Sequence, residues 1–360
     1  MLKEVLLKAM NIDNKQMTRC LELAKQGMGN VAPNPMVGCV IVYNNDIIAV
    51  GYHEKFGEAH AEVNAINSVI DKSLLKESTL YVNLEPCSHF GKTPPCSDLI
   101  IKHQIPNVVI GSLDTHSKVS GKGIERLKAA GINVSVGILE DKCKELNKRF
   151  FTYHEKKRPY IILKWAETKD GFIDVKRSFV SAQDDKVYDN WITSPFSKKL
   201  VHQWRSEEQA IMIGTNTAIN DNPELTVREV KGKNPLRVVI DLDLRLPENL
   251  NIFDGSTPTL IVNSIKSDTN QNIEFLKIDK NKELLSQILS ELHKKNILSV
   301  IIEGGAQLLQ SFIDQNLWDE AKVFIGNKTF SEGLKAPTLK KQPINSLQFD
   351  TDILNTYINA

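Results

Sequence analysis

The chain has 360 residues, of which 41% are hydrophobic and 25% charged, with a formal net charge of +1. That length exceeds the usual size of one hydrophobic core, so two domains are expected. The near-balanced charge leaves no overall electrostatic footprint for nucleic acid, and no apolar run approaches the length of a membrane span.

The N-terminal stretch "MLKEVLLKAMNIDNKQM" carries Lys3, Glu4 and Lys8 within its apolar run, which is too charged and too short for a secretory signal. The expected compartment is therefore the cytoplasm, where thiols stay reduced. Five cysteines is an odd count, and Cys20, Cys39 and Cys143 are scattered, so a disulfide framework is not expected. "KQMTRCLELAKQG" puts Met17, Cys20, Leu21 and Ala24 on one helical face and stops at Gly27. "MVGCVIVYNNDIIAVGYH" predicts a hairpin turning at Asn44, Asn45 and Asp46. "HAEVNAINSVI" predicts a helix burying Val63, Ile66 and Ile70. "STLYVNLEP" predicts a strand, "CSDLIIKHQI" a helix, "NVVIGSLD" a strand, "GIERLKAAG" a helix and "INVSVGIL" a strand. This alternation predicts an α/β domain on a mostly parallel sheet.

The basic stretch "LNKRFFTYHEKKRPY" breaks the rhythm, and the boundary is placed near residues 148 to 158, giving domains over 1–150 and 158–360. Strand signals then resume in "YIILKWAET", "QAIMIGT", "LRVVIDLD", "TLIVN", "LSVIIEGG" and "AKVFIG". "KELLSQILSELHKK" adds an amphipathic helix with Leu284, Leu285, Ile288 and Leu292 on one side. The second domain is thus α/β as well. The polar "DVKRSFVSAQDDKVYDN" is read as a long loop.

The chemistry concentrates in "HAEVNAI" and "NLEPCSHFGKTPPC". A hydrolytic zinc site uses three protein ligands and keeps one position open for water. Imidazole and thiolate suit zinc, and His60, Cys87 and Cys96 supply that count. Cys96 opens a helix after Pro94 and Pro95, where backbone N–H groups and the helix dipole favour a thiolate. Bound zinc brings the pKa of its water toward neutrality, and a base must then move the proton. Glu62, two residues beyond His60, is the candidate. The order His-x-Glu, Pro-Cys, Cys resembles the nucleotide deaminase signature. It departs in one respect: eight residues separate the cysteines here, where two are usual. The bland alternative is a buried histidine with two free thiols.

That departure is informative. "HAEVNAI" with the lengthened "LEPCSHFGKTPPC" and the upstream "NPMVGCV" resembles the bifunctional riboflavin-biosynthesis deaminase/reductase family. "LKWAETKDGFI", "WITSP", "MIGTNTAINDNPELTVR" and "VIIEGGAQLLQSF" resemble its second half in the same order. The resemblance covers nearly the whole chain. It implies a cytidine-deaminase-like α/β/α N-terminal domain and a dihydrofolate-reductase-like α/β C-terminal domain. It implies Zn2+ and NADPH as cofactors and a phosphorylated pyrimidine as substrate, deaminated first and then reduced at its ribose. By residue it implies that His60, Cys87 and Cys96 are zinc ligands, that Glu62 is the proton donor, and that Asn34 and His53 lie near the base. His89 and Lys92, in the lengthened loop, are either contacts to the sugar phosphate or plain loop residues.

The second half has no Gly-x-Gly-x-x-Gly after a strand. Its strand, Gly304-Gly305, helix run either brings backbone N–H groups close to a phosphate or is a tight turn and nothing more. Under the resemblance, Gly305, Ala306, Gln307, Leu308, Leu309, Gln310 and Ser311 line the dinucleotide. Ala166, Trp191, Thr217 and Asp221 contact the nicotinamide cofactor as well. Glu303, Leu225 and Asp189 match substrate positions, and Lys164 approaches the reacting sugar. Arg205 and Arg228 are the choice for the phosphate, because guanidinium binds phosphate bidentately. The segment between "KDGF" and "NWITSP" is longer than the family pattern. This puts the contact of Asp189 in doubt unless Lys176, Arg177 or Lys186 offsets its charge.

A rival reading keeps a zinc deaminase but gives it RNA or a free base, with a C-terminal domain that only binds. A second rival is a non-catalytic, metal-stabilised subunit. No nucleic-acid or membrane partner is expected. A homo-oligomer, dimer or tetramer, is expected by resemblance alone.

Overall fold

In a computed structural model the chain is described over residues 2–90, 94–115, 121–175 and 191–359, with backbone alone for 2–10. It divides into two compact units, Met1–Lys157 and Arg158–Ala360.

The first unit runs α1 (Leu2–Lys25), β1 (Gly38–Tyr43), β2 (Asp46–Tyr52), α2 (Ala61–Ser68), β3 (Thr79–Leu84), α3 (Cys96–Lys102), β4 (Asn107–Ser112), α4 (Lys122–Ala129), β5 (Asn133–Val136), α5 (Glu140–Leu146) and α6 (Lys148–Lys156). Its sheet has the order β2-β1-β3-β4-β5. β1 pairs antiparallel with both β2 and β3, whereas β3, β4 and β5 run parallel. The hairpin turns at Asn44 and Asn45, both at positive φ, the conformation whose twist suits a two-residue turn. Both faces of this sheet are covered. On β1, Cys39 and Ile41 join one apolar cluster, and Val40 and Val42 join the other. Met17, Cys20, Leu21 and Ala24 of α1 are buried as the periodicity predicts.

Two glycines set how closely helices approach the hairpin. A Cβ on Gly38 would stand 2.1 Å from the Cys20 carbonyl oxygen of α1, and one on Gly51 would stand 2.4 Å from the Ala65 nitrogen of α2. Only a hydrogen at Gly51 lets α2, with His60 and Glu62 at its start, lie against β2. Two expectations need correction. Ile70 is fully exposed, because α2 ends at Ser68 and Val69 takes the buried place instead. The basic stretch at the expected boundary is helical over Lys148–Lys156 and buries Phe150, Phe151 and Tyr153.

The second unit runs β6 (Tyr160–Glu167), β7 (Phe172–Val175), α7 (Pro195–Glu207), β8 (Ala210–Gly214), α8 (Thr215–Asp221), β9 (Leu236–Ile240), β10 (Thr259–Asn263), β11 (Asp268–Asn270), β12 (Ile273–Lys277), α9 (Leu284–Lys294), β13 (Ser299–Ile302), α10 (Ala306–Asp314), β14 (Glu320–Ile325), β15 (Gly333–Lys335), β16 (Asn345–Phe349) and β17 (Asp352–Ile358). Its main sheet has the order β11-β12-β10-β9-β8-β13-β6-β14-β17-β16, and β7 pairs with β15. From β12 to β14 the strands are parallel; β11, β17 and β16 pair antiparallel at the edges.

The central strands are apolar throughout because both faces are buried. On β13, Val300 and Ile302 face one cluster and Ile301 the other; on β6, Ile161 and Leu163 face one and Ile162 the other. The buried side of α9 is Leu285, Ile288, Leu289 and Leu292, with Leu284 at its margin. Of the segment read as a long loop, residues 176–190 lie outside the described residues, Lys176, Arg177, Lys186 and Asp189 among them. No helix among the described residues is long and apolar enough to cross a membrane.

Candidate functional sites

His60 is the N-cap of α2 and Cys96 the first residue of α3, while Cys87 follows Pro86 just beyond β3. Two helix starts and a strand end thus converge. The ligand atoms of these three residues all lie within 4.8 Å of one another. His60 Nδ1 is 3.6 Å from Cys87 Sγ and 3.3 Å from Cys96 Sγ. A tetrahedral zinc with bonds of about 2.3 Å to sulfur and about 2.0 Å to nitrogen holds such atoms roughly 3.5 Å apart. The donor set and its spacing therefore fit zinc. Among the described residues this is the one group of three or more such side chains close enough to hold a metal ion.

The surroundings favour thiolate at Cys87; at Cys96, contrary to the expectation from its helix start, the hydrogen bond with Cys87 and then burial push the thiol well above its ordinary value. The Cys96 N–H, at the start of α3, donates to Cys87 Sγ at 3.3 Å. Hydrogen bonds from Cys96 and then His60 pull the Cys87 thiol down to about 4, against its burial. The hydrogen bond to Cys87 raises His60 to about 9. A cation at this position would take over that role and leave the imidazole neutral.

Glu62 is 3% exposed. Burial pushes its carboxyl up, partly opposed by His60. A carboxyl raised in this way holds a proton more readily than an ordinary one, which suits a proton carrier. His53 is buried and in edge contact with His60, the ring centroids 5.5 Å apart. His53 Nδ1 lies 3.0 Å from the Ala59 carbonyl and Nε2 lies 3.1 Å from Asn34 Nδ2. The Nδ1–H therefore donates to Ala59, and Nε2 accepts from Asn34. Burial lowers the His53 pKa and keeps this neutral tautomer. His89 lies in the described part of the lengthened loop, whereas Lys92 lies outside it.

Three residues unmarked by sequence reasoning build the frame. Asn83 Oδ1 accepts from the Gly38 N–H and its Nδ2 donates to the Met36 carbonyl. Asn147, between α5 and α6, accepts from the Met36 N–H at 2.8 Å and donates to the same residue's carbonyl at 2.9 Å. Together they pin the segment that carries Asn34. Glu85 is buried and accepts from the backbone N–H groups of Gly121 and Gly123. Its place in "LEPC" was a readable signal; Asn147 offered none.

In the second unit Ala166, Thr217 and Glu303 stand at or just beyond the C-terminal ends of the parallel strands β6, β8 and β13, where open α/β sheets bind ligands. Gly305, at φ +77°, caps α10 without a side-chain bond. A Cβ on Gly304 would stand 2.8 Å from Thr217 Cγ2, so Thr217 of α8 lies against the glycine pair. Gly305, Ala306 and Gln307 are open to solvent in part. The rest of the run faces elsewhere. Leu309 is buried in the core with its N–H donated to the Gly305 carbonyl. Gln310 bonds Asp314 and the Thr338 N–H, and the Ser311 hydroxyl donates to the Leu308 carbonyl. Ala166 lies on β6 in register with Phe324, while Trp191 is half exposed and Asp221 exposed.

Arg205 does not stand free. Its Nε and Nη2 donate to the two Glu303 oxygens at 2.9 and 2.6 Å, and its Nη1 donates to the Thr226 carbonyl. Lys164 Nζ is 3.9 Å from the same carboxylate. Burial would raise Glu303, but Arg205 and Lys164 win and hold it at about 2. Burial in turn lowers Lys164. Arg228 is more open and bonds Glu224 and Thr226 through Nη1. Leu225, buried between them, has φ +55°. His202 was also unmarked; its Nδ1 accepts from the Arg228 N–H and secures this turn on α7.

The comparisons with known proteins agree with both halves. Residues 10–112 match the cytidine and deoxycytidylate deaminase zinc-binding region, and residues 159–354 match the RibD C-terminal domain. The chain is 42% identical to the riboflavin biosynthesis protein RibD of Aquifex aeolicus, over 90% of this chain and 89% of that one. It is 39% identical to the Synechocystis protein of the same name, over 95% and 91%. Its fold matches the crystal structure of a Thermotoga maritima diaminohydroxyphosphoribosylaminopyrimidine deaminase/5-amino-6-(5-phosphoribosylamino)uracil reductase. There the TM-score is 0.86 with 36% identity, over 97% of this chain and 99% of that one. An Acinetobacter baumannii RibD structure matches with a TM-score of 0.84 and 31% identity, over 97% and 99%. The chain belongs to the RibD family of bifunctional deaminase/reductase enzymes of riboflavin biosynthesis.

Proposed function

We propose that the two reactions of the family divide between residues 1–150 and 158–360 and use the residues described above. The first domain deaminates 2,5-diamino-6-(5-phosphoribosylamino)pyrimidin-4-one. The second reduces the ribosyl group of 5-amino-6-(5-phosphoribosylamino)uracil to ribityl. His60, Cys87 and Cys96 would hold zinc, which when bound would supply a Lewis acid for activating water. Glu62 would accept a proton and return it to the departing amine. Asn34 orients the ring, with His53 fixing its amide. The spacing of the three ligand atoms carries this reading.

In the second domain NADPH supplies the hydride. Gly305, Ala306 and Gln307 offer the open N-terminus of α10 to its phosphates, with Thr217 beside the glycines. Leu308, Leu309, Gln310 and Ser311 shape that helix, and Ala166, Trp191 and Asp221 flank the cofactor. Glu303 and Lys164 face the sugar, Leu225 shapes the turn, and Arg228 holds the phosphate with Arg205 behind it. Asp189 remains the substrate contact expected by resemblance. The enzyme acts in the cytoplasm as a homo-oligomer, a dimer or tetramer. One experiment tests the division: remove zinc with a chelator, then follow ammonia release and NADPH oxidation on the same sample. Ammonia release stops and NADPH oxidation with deaminated substrate continues. Equal loss of both would refute separate sites.

A further inference from the structure

We propose that α4 is a brace that sets the separation of the two cysteine ligands, and that Glu85 is the positioning residue through which it acts. This rests on the reading that His60, Cys87 and Cys96 hold zinc. A Cys-x-x-Cys spacing fixes its two sulfurs through a single turn of backbone. Here eight residues intervene between Cys87 and Cys96, and a loop of that length does not by itself fix their distance. The Cys96 and Ser97 N–H groups bond the Cys87 sulfur and carbonyl directly, and α4 adds a second hold on both ends.

Glu85 stands two residues before Cys87, with the rigid Pro86 between them. Its carboxylate is 4% exposed, and among the described residues its partners are backbone N–H groups. Oε1 accepts from Gly123 at 2.9 Å and Ile124 at 3.4 Å; Oε2 accepts from Gly121 at 2.9 Å and Asp114 at 3.3 Å. The first turn of a helix leaves such N–H groups without partners. The cap residue Gly121 offers no side chain to α4, so Glu85 caps it from a distant strand end. The contact is close: a Cβ on Gly123 would stand 2.1 Å from the Pro86 carbonyl oxygen.

The other side of α4 reaches the second cysteine. Arg126 Nε lies 2.6 Å from Asp98 Oδ1, and Asp98 is in the first turn of α3, two residues after Cys96. The path therefore closes from Cys87 through Glu85, α4, Arg126 and Asp98 to Cys96. A helix cap alone needs no buried carboxylate from another element. The placement of both ends beside metal ligands is what the brace explains.

The test measures zinc affinity by competition with a chromogenic chelator and the visible spectrum of the cobalt-substituted protein. NADPH-dependent reduction serves as the control for the other domain. Glu85→Gln keeps the shape but turns an NH2 group toward N–H donors; Gly123→Ala pushes Pro86 away from α4. Each is expected to weaken zinc by about 10- to 100-fold, the usual range for groups that orient ligands. Each should also shift the cobalt–thiolate bands and leave reduction unchanged. Arg126→Gln, at a half-exposed pair, should show the same change more weakly. Parent affinity and an unchanged cobalt spectrum in Glu85→Gln and Gly123→Ala would overturn the brace. So would lower thermal stability with both metal readouts unmoved. If Glu85→Gln does not fold, Gly123→Ala and Arg126→Gln decide on the same criteria. Cys87→Ser tests the underlying reading separately, because zinc retained at parent stoichiometry in that variant would refute the ligand assignment itself.

Discussion

Replacing Arg205 by Met tests what the buried guanidinium does. Arg205 and Glu303 are 13% and 6% exposed at the side chain, and two hydrogen bonds join them. Breaking a buried pair from one side costs about 3–5 kcal/mol, because the remaining charge stays buried. The lowering of the Glu303 carboxyl from its ordinary 4.5 to about 2 corresponds to ~3 kcal/mol, the same order. Lys164, 3.9 Å away, remains as a partner and softens the loss. The sign in pH follows from the direction of the shift. A depressed carboxyl stabilises the fold fully above pH 4.5 and loses that contribution as pH falls toward about 2. Arg205→Met should therefore lower stability at neutral pH by about 3 kcal/mol and flatten its fall over that acid range. All four tryptophans, Trp165, Trp191, Trp204 and Trp318, lie in the second unit, so urea unfolding followed by tryptophan fluorescence reports that unit alone. A variant within about 0.5 kcal/mol of the parent, with an unchanged acid slope, would show that the pair carries no such energy.

Glu62→Gln should keep its zinc and lose ammonia release by about 10²- to 10⁴-fold, with NADPH oxidation on deaminated substrate unaffected; survival of ammonia release refutes the proton shuttle. Gly304→Ala would drive a methyl group to 2.8 Å from Thr217. Overpacking of ~1–3 kcal/mol should raise the KM for NADPH roughly 5- to 160-fold while deamination is unchanged, and an unaltered KM would remove the glycine pair from the cofactor site. Asn147→Ala strands the buried Met36 N–H at a cost of about 1–3 kcal/mol. The deaminase KM should then rise with zinc content intact, and a fall in zinc content with KM unchanged would contradict the role of this amide in aligning Asn34.

The candidate zinc ligands stand out in the sequence because their chemistry is rare: one imidazole before a helix and two thiols that each follow a proline have few structural reasons to coincide. The hairpin was legible from Asn44-Asn45, and the buried side of α9 from its period. Ile70 failed because the helical period was carried past the end of α2, and nothing local marks Ser68 as its last residue. α6 was obscured by its lysines, although Phe150, Phe151 and Tyr153 supplied an apolar face. α7 went unread in spite of the Ser194 cap and Pro195 at its first position, both readable start signals. Arg205 illustrates a different limit. Its partner lies 98 residues away, and no local pattern tells a free guanidinium from one engaged in the fold.

The two sites differ in legibility because the reactions differ in demand. Activation of water needs a Lewis acid and a proton carrier, and both require particular side chains that stand out in a sequence. Hydride transfer needs two carbons held in line, which backbone and apolar surface can do. Glycines and a helix start therefore mark the second site, and the charged residues around it are occupied with one another. The Arg205, Glu303 and Lys164 cluster keeps a carboxylate ionised and a lysine lowered side by side, so these charges are set by the fold itself. On the proposed function, the phosphate then falls chiefly to the more open Arg228, whose turn is secured by His202.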